Sequence, residues 1–245
     1  MVVSLETLNP QQRDAVTTVE GPLLVVAGAG TGKTHTLTVR AAYLIAQGHA
    51  RPENVLAITF TNKAARSLAE RIEAMLAGRA GPGPAPDGES AARRMTIGTF
   101  HAVTLGFLRE FGDRWDAVRR MPVRAGEGDV AAADPRAAGS FGICDEAQQA
   151  EILGRVLRDE GIGSKGRKFR EEVARARVRL FFQPVLPGTE SEVERIAELM
   201  DEALVAERLL TFDDLLLSCC AMWRTLPEIA GAMRARYRFV LVDEY

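Results

Sequence analysis

The feature that most constrains this chain is a stretch of small residues, Ala27-Gly28-Ala29-Gly30-Thr31-Gly32-Lys33-Thr34, set between an apolar run and a helical pattern. Residues 22–27 (PLLVVA) have the composition of a short buried strand. From Lys33 onward, Leu37, Ala41, Leu44 and Ile45 recur at helical spacing on one face. A strand that turns through small residues into a helix aims consecutive backbone N–H groups, and the positive end of the helix, at one anion. This loop is expected to bind a nucleoside triphosphate through Ala27, Gly28, Ala29, Gly30, Thr31 and Gly32. Lys33 would reach the β- and γ-phosphates, and the Thr34 hydroxyl would ligate Mg²⁺. Ala27 stands where a glycine is usual, a small residue that the loop tolerates.

Composition narrows the class. With 245 residues and 47% hydrophobic content the chain can build one large core or two small ones. No apolar run approaches the ~18 residues of a membrane span, and the first residues lack a basic-then-apolar signal pattern. Cys144, Cys219 and Cys220 lack metal-ligand spacing and are odd in number, so neither a disulfide framework nor a zinc site is supported. Cys219 and Cys220 are expected as core thiols on an apolar helix. The chain reads as cytoplasmic, with no membrane partner. A net charge of −2 does not advertise a polyanion partner. Yet Lys165, Arg167, Lys168, Arg170, Arg175, Arg177 and Arg179 are crowded together, interrupted by Glu171 and Glu172. That run is either a solvated helix face or a salt-sensitive patch that touches nucleic-acid backbone.

Strand patterns cluster at the two ends of the chain, at 22–27, 54–60, 95–98 and 238–243. Helical patterns fill 99–111, 145–160, 168–181, 190–210 and 212–224, and the middle reads as free of strands. Residues 78–92 and 121–140 read as loosely structured. Strands alternating with helices imply a parallel sheet. The expected fold is α/β, a RecA-like P-loop NTPase sheet with an inserted all-helical subdomain. The expected boundaries are 1–104 for the first part of the ATP-binding domain, 105–208 for the insertion and 209–245 for the return to the sheet.

The last residues, 238–245 (RFVLVDEY), supply the second half of a phosphate site. A continuous apolar strand, of the kind a doubly covered sheet needs, ends in Asp243 and Glu244. Asp243 would hold Mg²⁺ opposite Thr34, and Glu244 would polarise the attacking water. Successive side chains of a strand face opposite ways, so adjacent acids can take different roles. The plainer alternative is a solvated strand end.

Further segments fall in a telling order. Leu8-Asn9-Pro10-Gln11-Gln12 precedes the loop, and Ile58-Thr59-Phe60-Thr61-Asn62-Lys63-Ala64-Ala65 follows it. Gly98-Thr99-Phe100-His101, Thr211-Phe212-Asp213-Asp214-Leu215-Leu216 and Val242-Asp243-Glu244-Tyr245 complete the series. Together these closely resemble the N-terminal part of the UvrD/PcrA/Rep-type superfamily 1 DNA helicases. The resemblance covers nearly the whole chain and is weakest across 112–140. It implies that Gln12 reads the adenine edge. Asn9, Pro10 and Gln12 also have the spacing of a capping box, and both roles can hold at once. It further implies that Thr59, Phe60, Thr61, Asn62 and Lys63 contact single-stranded DNA, with Phe60 stacking on a base and Asn62 capping the helix that follows. Thr99 and His101 would belong to a second DNA-contacting motif. Phe212-Asp213-Asp214-Leu215 matches a further motif near the single strand, and Thr211 with Asp214 also suits a helix cap, a purely structural role. His35 stands where the family commonly has an arginine stacked on adenine.

The resemblance implies ATP and Mg²⁺ as cofactors and single-stranded DNA and a duplex junction as partners. The implied activity is ATP-driven 3′ to 5′ translocation with strand separation. It also implies that this chain is an N-terminal fragment, ending inside the Asp243–Glu244 motif and lacking both an interior strand and the C-terminal half. Alone, such a chain would be incompetent for turnover. Two rivals stand beside this reading: a non-catalytic module that binds nucleotide or DNA, and a P-loop kinase of small molecules. The kinase gives no reason for the ITFTNKAA segment.

Overall fold

The computed structural model describes residues 3–77, 90–111, 141–183 and 188–244. In chain order the elements begin with α1 (Pro10–Thr17), α2 (Lys33–Ala46), β1 (Val55–Thr59) and α3 (Asn62–Ala77). The short α4 (Ala91–Arg94), β2 (Thr96–Thr99), α5 (Phe100–Glu110) and β3 (Gly142–Ile143) follow. Next come α6 (Glu146–Asp159), α7 (Arg167–Phe182), α8 (Glu192–Ala206) and β4 (Leu209–Leu210). The chain ends with α9 (Phe212–Thr225), α10 (Pro227–Arg236) and β5 (Phe239–Val242). Two compact units emerge: residues 1–103 with 228–245, and residues 104–227. The return to the first unit thus comes near residue 228, later than the 209 expected, because α9 belongs to the helical unit. Among the described residues no helix is long and apolar enough to cross a membrane.

The first unit is built on a parallel sheet of order β2-β1-β5. β1 is central and buried at every residue, as a strand covered on both faces requires. Its register aligns Thr59 with Thr99 on one side and Ile58 with Val242 on the other. Ala41 and Leu44 of α2 meet Leu68 and Ile72 of α3 over Val55, Ala57 and Leu241, with Leu37 and Ile45 packed at the margin. Burial of each leucine or isoleucine there contributes roughly 1.5–3 kcal/mol. Arg40 closes the C-terminal end of α1 onto α2 by donating to the carbonyls of Ala15 at 2.7 Å and of Thr18.

One strand is missing from expectation. Residues 22–27 lie outside every strand ladder, with Leu24 72% and Val26 87% exposed. Beside them a groove of about 850 Å³ has Leu23, Leu24, Val25 and Val26 along one wall and β5 along the other. A strand is stable only when its backbone groups are paired. No described segment fills that groove, so β-forming side chains alone do not make a strand of this run.

The second unit is helical, with α6, α7 and α8 enclosing Ile152, Leu153, Val156, Leu157, Val173, Leu180, Ile196 and Met200. It is not free of strands: β3 and β4 form a two-residue parallel ladder, Gly142 opposite Leu209 and Ile143 opposite Leu210. A Cβ at Gly142 would come within 2.9 Å of the tip of the Leu209 side chain, which would have to shift to admit it. Capping boxes open α6 (Asp145 with Gln148), α8 (Ser191 with Glu194) and α9 (Thr211 with Asp214).

Arg177, expected within a basic patch, is instead 7% exposed and ties three helices together. It donates to Asp201 of α8 at 2.5 Å and to both carboxylate oxygens of Asp214 of α9 at 2.7 and 2.9 Å. Burial works against its charge, but Asp201 and Asp214 outweigh burial and raise its pKa. Neighbouring cations are spent locally, with Arg167 and Arg175 on Glu171, Arg179 on Glu194 and Lys165 on Glu192. Lys168 and Arg170 stay exposed. Cys219 is a core thiol as expected. Its sulfhydryl donates to the Thr104 carbonyl, and burial, then Cys220, pushes its pKa up to about 12. Cys220 is half-buried. The expected loose stretches at 78–89 and 121–140 lie outside the described residues, whereas Ala91 and Ala92 open α4 behind a Ser90 cap.

Candidate nucleotide and nucleic-acid site

The carboxyl ends of β1, β2 and β5 point the same way because the sheet is parallel, and the motifs at Thr59–Lys63, Thr99–His101 and Asp243–Glu244 follow these ends. Open α/β sheets bind ligands in the crevice outside such ends. The small-residue loop leads into α2, whose N-cap is Gly32 at φ +87°, with no side-chain cap. Gly30 is also left-handed, at φ +76°. Glycine occupies both turns without the Cβ penalty. The first N–H groups of α2 therefore carry no protein cap and remain for a ligand.

Residues 27–31 are exposed, and Gly32, Lys33, Thr34 and His35 are half-buried. The Lys33 ammonium lies across the loop and donates to the carbonyls of Ala27 and Gly28, at 2.8 Å each. The Thr31 hydroxyl donates to the Gly28 carbonyl at 2.8 Å.

The two halves of the site meet across 209 positions: the Thr34 hydroxyl donates to Asp243 Oδ2 at 2.9 Å. Asp243 follows β5, is 7% exposed, and donates its own N–H to the Ile58 carbonyl at 2.9 Å. Lys33, Asp243 and Glu244 line the same groove, and Arg238 joins them there. Glu244 is exposed and adopts φ +60°, which turns the chain immediately after Asp243.

The donor chemistry suits Mg²⁺. Thr34 and Asp243 offer hard oxygens beside a loop shaped for phosphate, and this ion is usually held by one or two carboxylates together with substrate phosphates. Among the described residues no cluster of three histidine, cysteine or acidic side chains forms a self-sufficient metal cage. A site that gains its remaining ligands from phosphate fits that observation.

Gln12 was expected to cap α1 and to face adenine. The capping box is present: Asn9 Oδ1 accepts from Gln12 N at 2.8 Å, and Gln12 Oε1 accepts from Asn9 N at 3.1 Å. The other end of the amide is also engaged, with Nε2 donating to the Thr31 carbonyl at 3.0 Å. Sequence reasoning missed that tie, because no local pattern foretells a contact nineteen residues away.

The second cluster lies at the ends of β1 and β2. The Phe60 ring is 61% exposed and meets Phe100 edge-on, with centroids 5.8 Å apart. Thr61, Asn62 and Lys63 are exposed at the start of α3. The cap of that helix is Thr61, whose hydroxyl accepts from Ala64 N at 3.1 Å, and not Asn62 as expected. Asn62 is already the first helical residue, which leaves its amide unspent on capping. Thr59 is buried, and its hydroxyl donates to the Thr61 carbonyl at 3.1 Å, so it shapes the turn from beneath instead of facing outward. Thr99 caps α5 by accepting from Ala102 N at 3.2 Å, and His101 is half-buried in the first turn.

The chain is similar to known proteins along almost its whole length. The profile of the UvrD/REP helicase N-terminal domain matches residues 8–245. ATP-dependent DNA helicase PcrA of Bacillus subtilis (strain 168) is 33% identical over 98% of this chain and 29% of its own length. PcrA of Staphylococcus aureus (strain Mu50 / ATCC 700699) is 30% identical over 98% of the chain and 30% of its own length. A probable DNA helicase II homolog of Rickettsia felis is 31% identical over 98% of the chain and 33% of its length. The chain thus spans about a third of the length of these relatives. With a family profile matched along almost all of its residues, and with the loop, acid pair and strand-end motifs at one end of a parallel sheet, the chain belongs to the UvrD/REP helicase N-terminal domain family.

Proposed function

We propose that this chain is the ATP-binding part of a helicase that couples ATP hydrolysis to 3′ to 5′ movement on single-stranded DNA and to strand separation. The observation that carries the reading is the 2.9 Å hydrogen bond between Thr34 and Asp243, which joins the phosphate loop to the acid-tipped strand. Backbone N–H groups of residues 27–32 and the start of α2 bind the phosphates. Lys33 exchanges the Ala27 and Gly28 carbonyls for phosphate oxygens. Thr34 and Asp243 hold Mg²⁺, which when bound with the triphosphate neutralises charge on the phosphates. Glu244 orients a water and accepts its proton. His35, in the first turn of α2, would stack on the base.

The strand-end cluster serves the nucleic acid. Phe60 offers a face for base stacking, an interaction of about 1–3 kcal/mol. Thr61, Asn62 and Lys63 contact phosphates without reading sequence, with Thr59 and Thr99 shaping the turns beneath and His101 flanking them. Lys168 and Arg170 supply the cations with which α7 touches duplex. The direct pairing of β1 with β5 supports coupling, since the strand that ends in the DNA-facing turn lies beside the strand that ends in Asp243. A soluble, cytoplasmic setting accompanies this function. A narrower reading, binding without turnover, is favoured for the isolated 245-residue chain by residues 22–27 standing outside the sheet.

The test is ATP turnover by the natural protein that carries this chain, with and without single-stranded oligonucleotide. Lys33→Ala is expected to abolish the DNA-stimulated rate and to leave oligonucleotide binding largely intact. Unchanged turnover in that variant overturns the assignment, and turnover indifferent to DNA favours a kinase-like use of the loop.

A further inference from the structure

We infer that Gln12 is a positioning residue for the phosphate loop, setting its geometry for triphosphate whatever base is attached. The inference rests on the loop binding triphosphate, as proposed above. Two contacts carry it. Gln12 Nε2 donates to the Thr31 carbonyl at 3.0 Å. The same nitrogen lies 3.0 Å from where a Cβ on Gly32 would stand, so the amide packs directly over the left-handed residue that starts α2. Thr31 and Gly32 are thus held from outside at the point where the loop becomes helix.

The remaining bonds at the loop are made by its own members. Thr31 and Lys33 both donate to carbonyls of residues 27–28. Residues 27–31 are exposed and gain no rigidity from packing. Among the described residues, the Gln12 amide makes the one hydrogen bond that reaches residues 27–32 from outside the loop and its helix. Its own position is fixed in turn, because Oε1 is held by the Asn9 N–H and α1 is fastened to α2 through Arg40. The chain of support runs from α2 through Arg40 to α1, through Gln12 to Thr31, and back to the head of α2. A closed path of this kind lowers the ordering cost that a phosphate would otherwise meet on binding.

A base-reading role and a positioning role differ in what they do to a ligand with no base. Magnesium tripolyphosphate, ATP and GTP are titrated into the 245-residue chain by calorimetry. The variants are Gln12→Met, which keeps side-chain length and helix propensity without the donor, and Asn9→Ala, which breaks the capping box but spares the contact to Thr31. Thermal melts check that both are folded. Gln12→Met is expected to weaken all three ligands by the same factor, about three- to tenfold, the worth of one net hydrogen bond. Asn9→Ala is expected to weaken them less than twofold.

Loss of ATP affinity in Gln12→Met with tripolyphosphate unchanged overturns the inference and leaves Gln12 as a reader of adenine alone. Equal losses in Gln12→Met and Asn9→Ala also overturn it, by assigning the effect to the helix cap. If the unmodified chain binds none of the three ligands, the triphosphate reading itself fails and the inference falls with it.

Discussion

Two capping boxes in this molecule share a local plan and differ in what the third helical residue does with its spare atoms. At the start of α1, Gln12 accepts from Asn9 and extends a neutral amide to the Thr31 carbonyl, in a half-exposed setting. At the start of α9, Asp214 accepts from Thr211 N at 2.8 Å and receives the buried Arg177 guanidinium. The first box spends its surplus on a functional loop, and the second on binding three helices of its own unit. A neutral bond near water is worth about 0.5–1.5 kcal/mol, whereas unpairing a buried charge costs several. Folding stability is therefore expected to be sensitive at one box and ligand affinity at the other.

The most forceful way to break this comparison is Arg177→Met. Removing the cation leaves Asp214 largely buried without its partner, and a loss of about 3 kcal/mol in chemical denaturation is expected. A loss below about 1 kcal/mol would place the two boxes on the same footing. The pH dependence follows from the raised pKa of Arg177. A cation whose pKa is higher folded than unfolded contributes its stability fully below the ordinary arginine value, and loses it only as pH rises past that value. The gap between parent and Arg177→Met should accordingly hold constant from pH 7 to pH 10. A gap that closes over that range would contradict the assignment.

Asp214→Asn sharpens the same point with a smaller change. The amide oxygen can still cap Thr211 N, so what is lost is the charge that faces Arg177. About 2 kcal/mol is expected, the range for hydrogen bonds to charged groups. At the other box, Gln12→Met should cost under about 1 kcal/mol of stability, while its effect on ligand binding is read separately. Smallest in energy is the contrast among thiols. With Cys219 held protonated up to about 12, alkylation at pH 8 followed by mass spectrometry should label Cys220 well ahead of Cys219. The reverse order would remove Cys219 from the core.

The sequence made the strand ends legible because each chemical motif sits where an apolar run stops. The runs at 54–60, 95–98 and 238–243 became β1, β2 and β5 with bounds shifted by a residue or two. The capping boxes at Asn9 and Thr211 were likewise readable, since Ser, Thr, Asp or Asn followed three residues on by an acid or amide is a local signal. The failures share a different cause. Residues 22–27 have the side chains of a strand but no backbone partner, and pairing is a property of the neighbourhood. Gly142 and Ile143 are too short a run to register, yet Leu209 and Leu210 pair with them. α10 went unread because its apolar positions, Ile229 and Met233, are few among alanine, arginine and glycine. Arg177 looked like its exposed neighbours, and only the arrival of Asp201 and Asp214 from other helices distinguishes it. The Thr34–Asp243 meeting was foreseeable from the motifs, whereas the Gln12–Thr31 tie was not.

The claim on which the functional account turns is that Thr34 and Asp243 form one Mg²⁺-dependent triphosphate site. Calorimetric titration of ATP, with and without Mg²⁺, into the parent chain and Asp243→Asn tests it directly. Mg²⁺ should strengthen binding to the parent chain, and Asp243→Asn should lose this strengthening while keeping its metal-free affinity. Full retention of the Mg²⁺ effect in Asp243→Asn would contradict it.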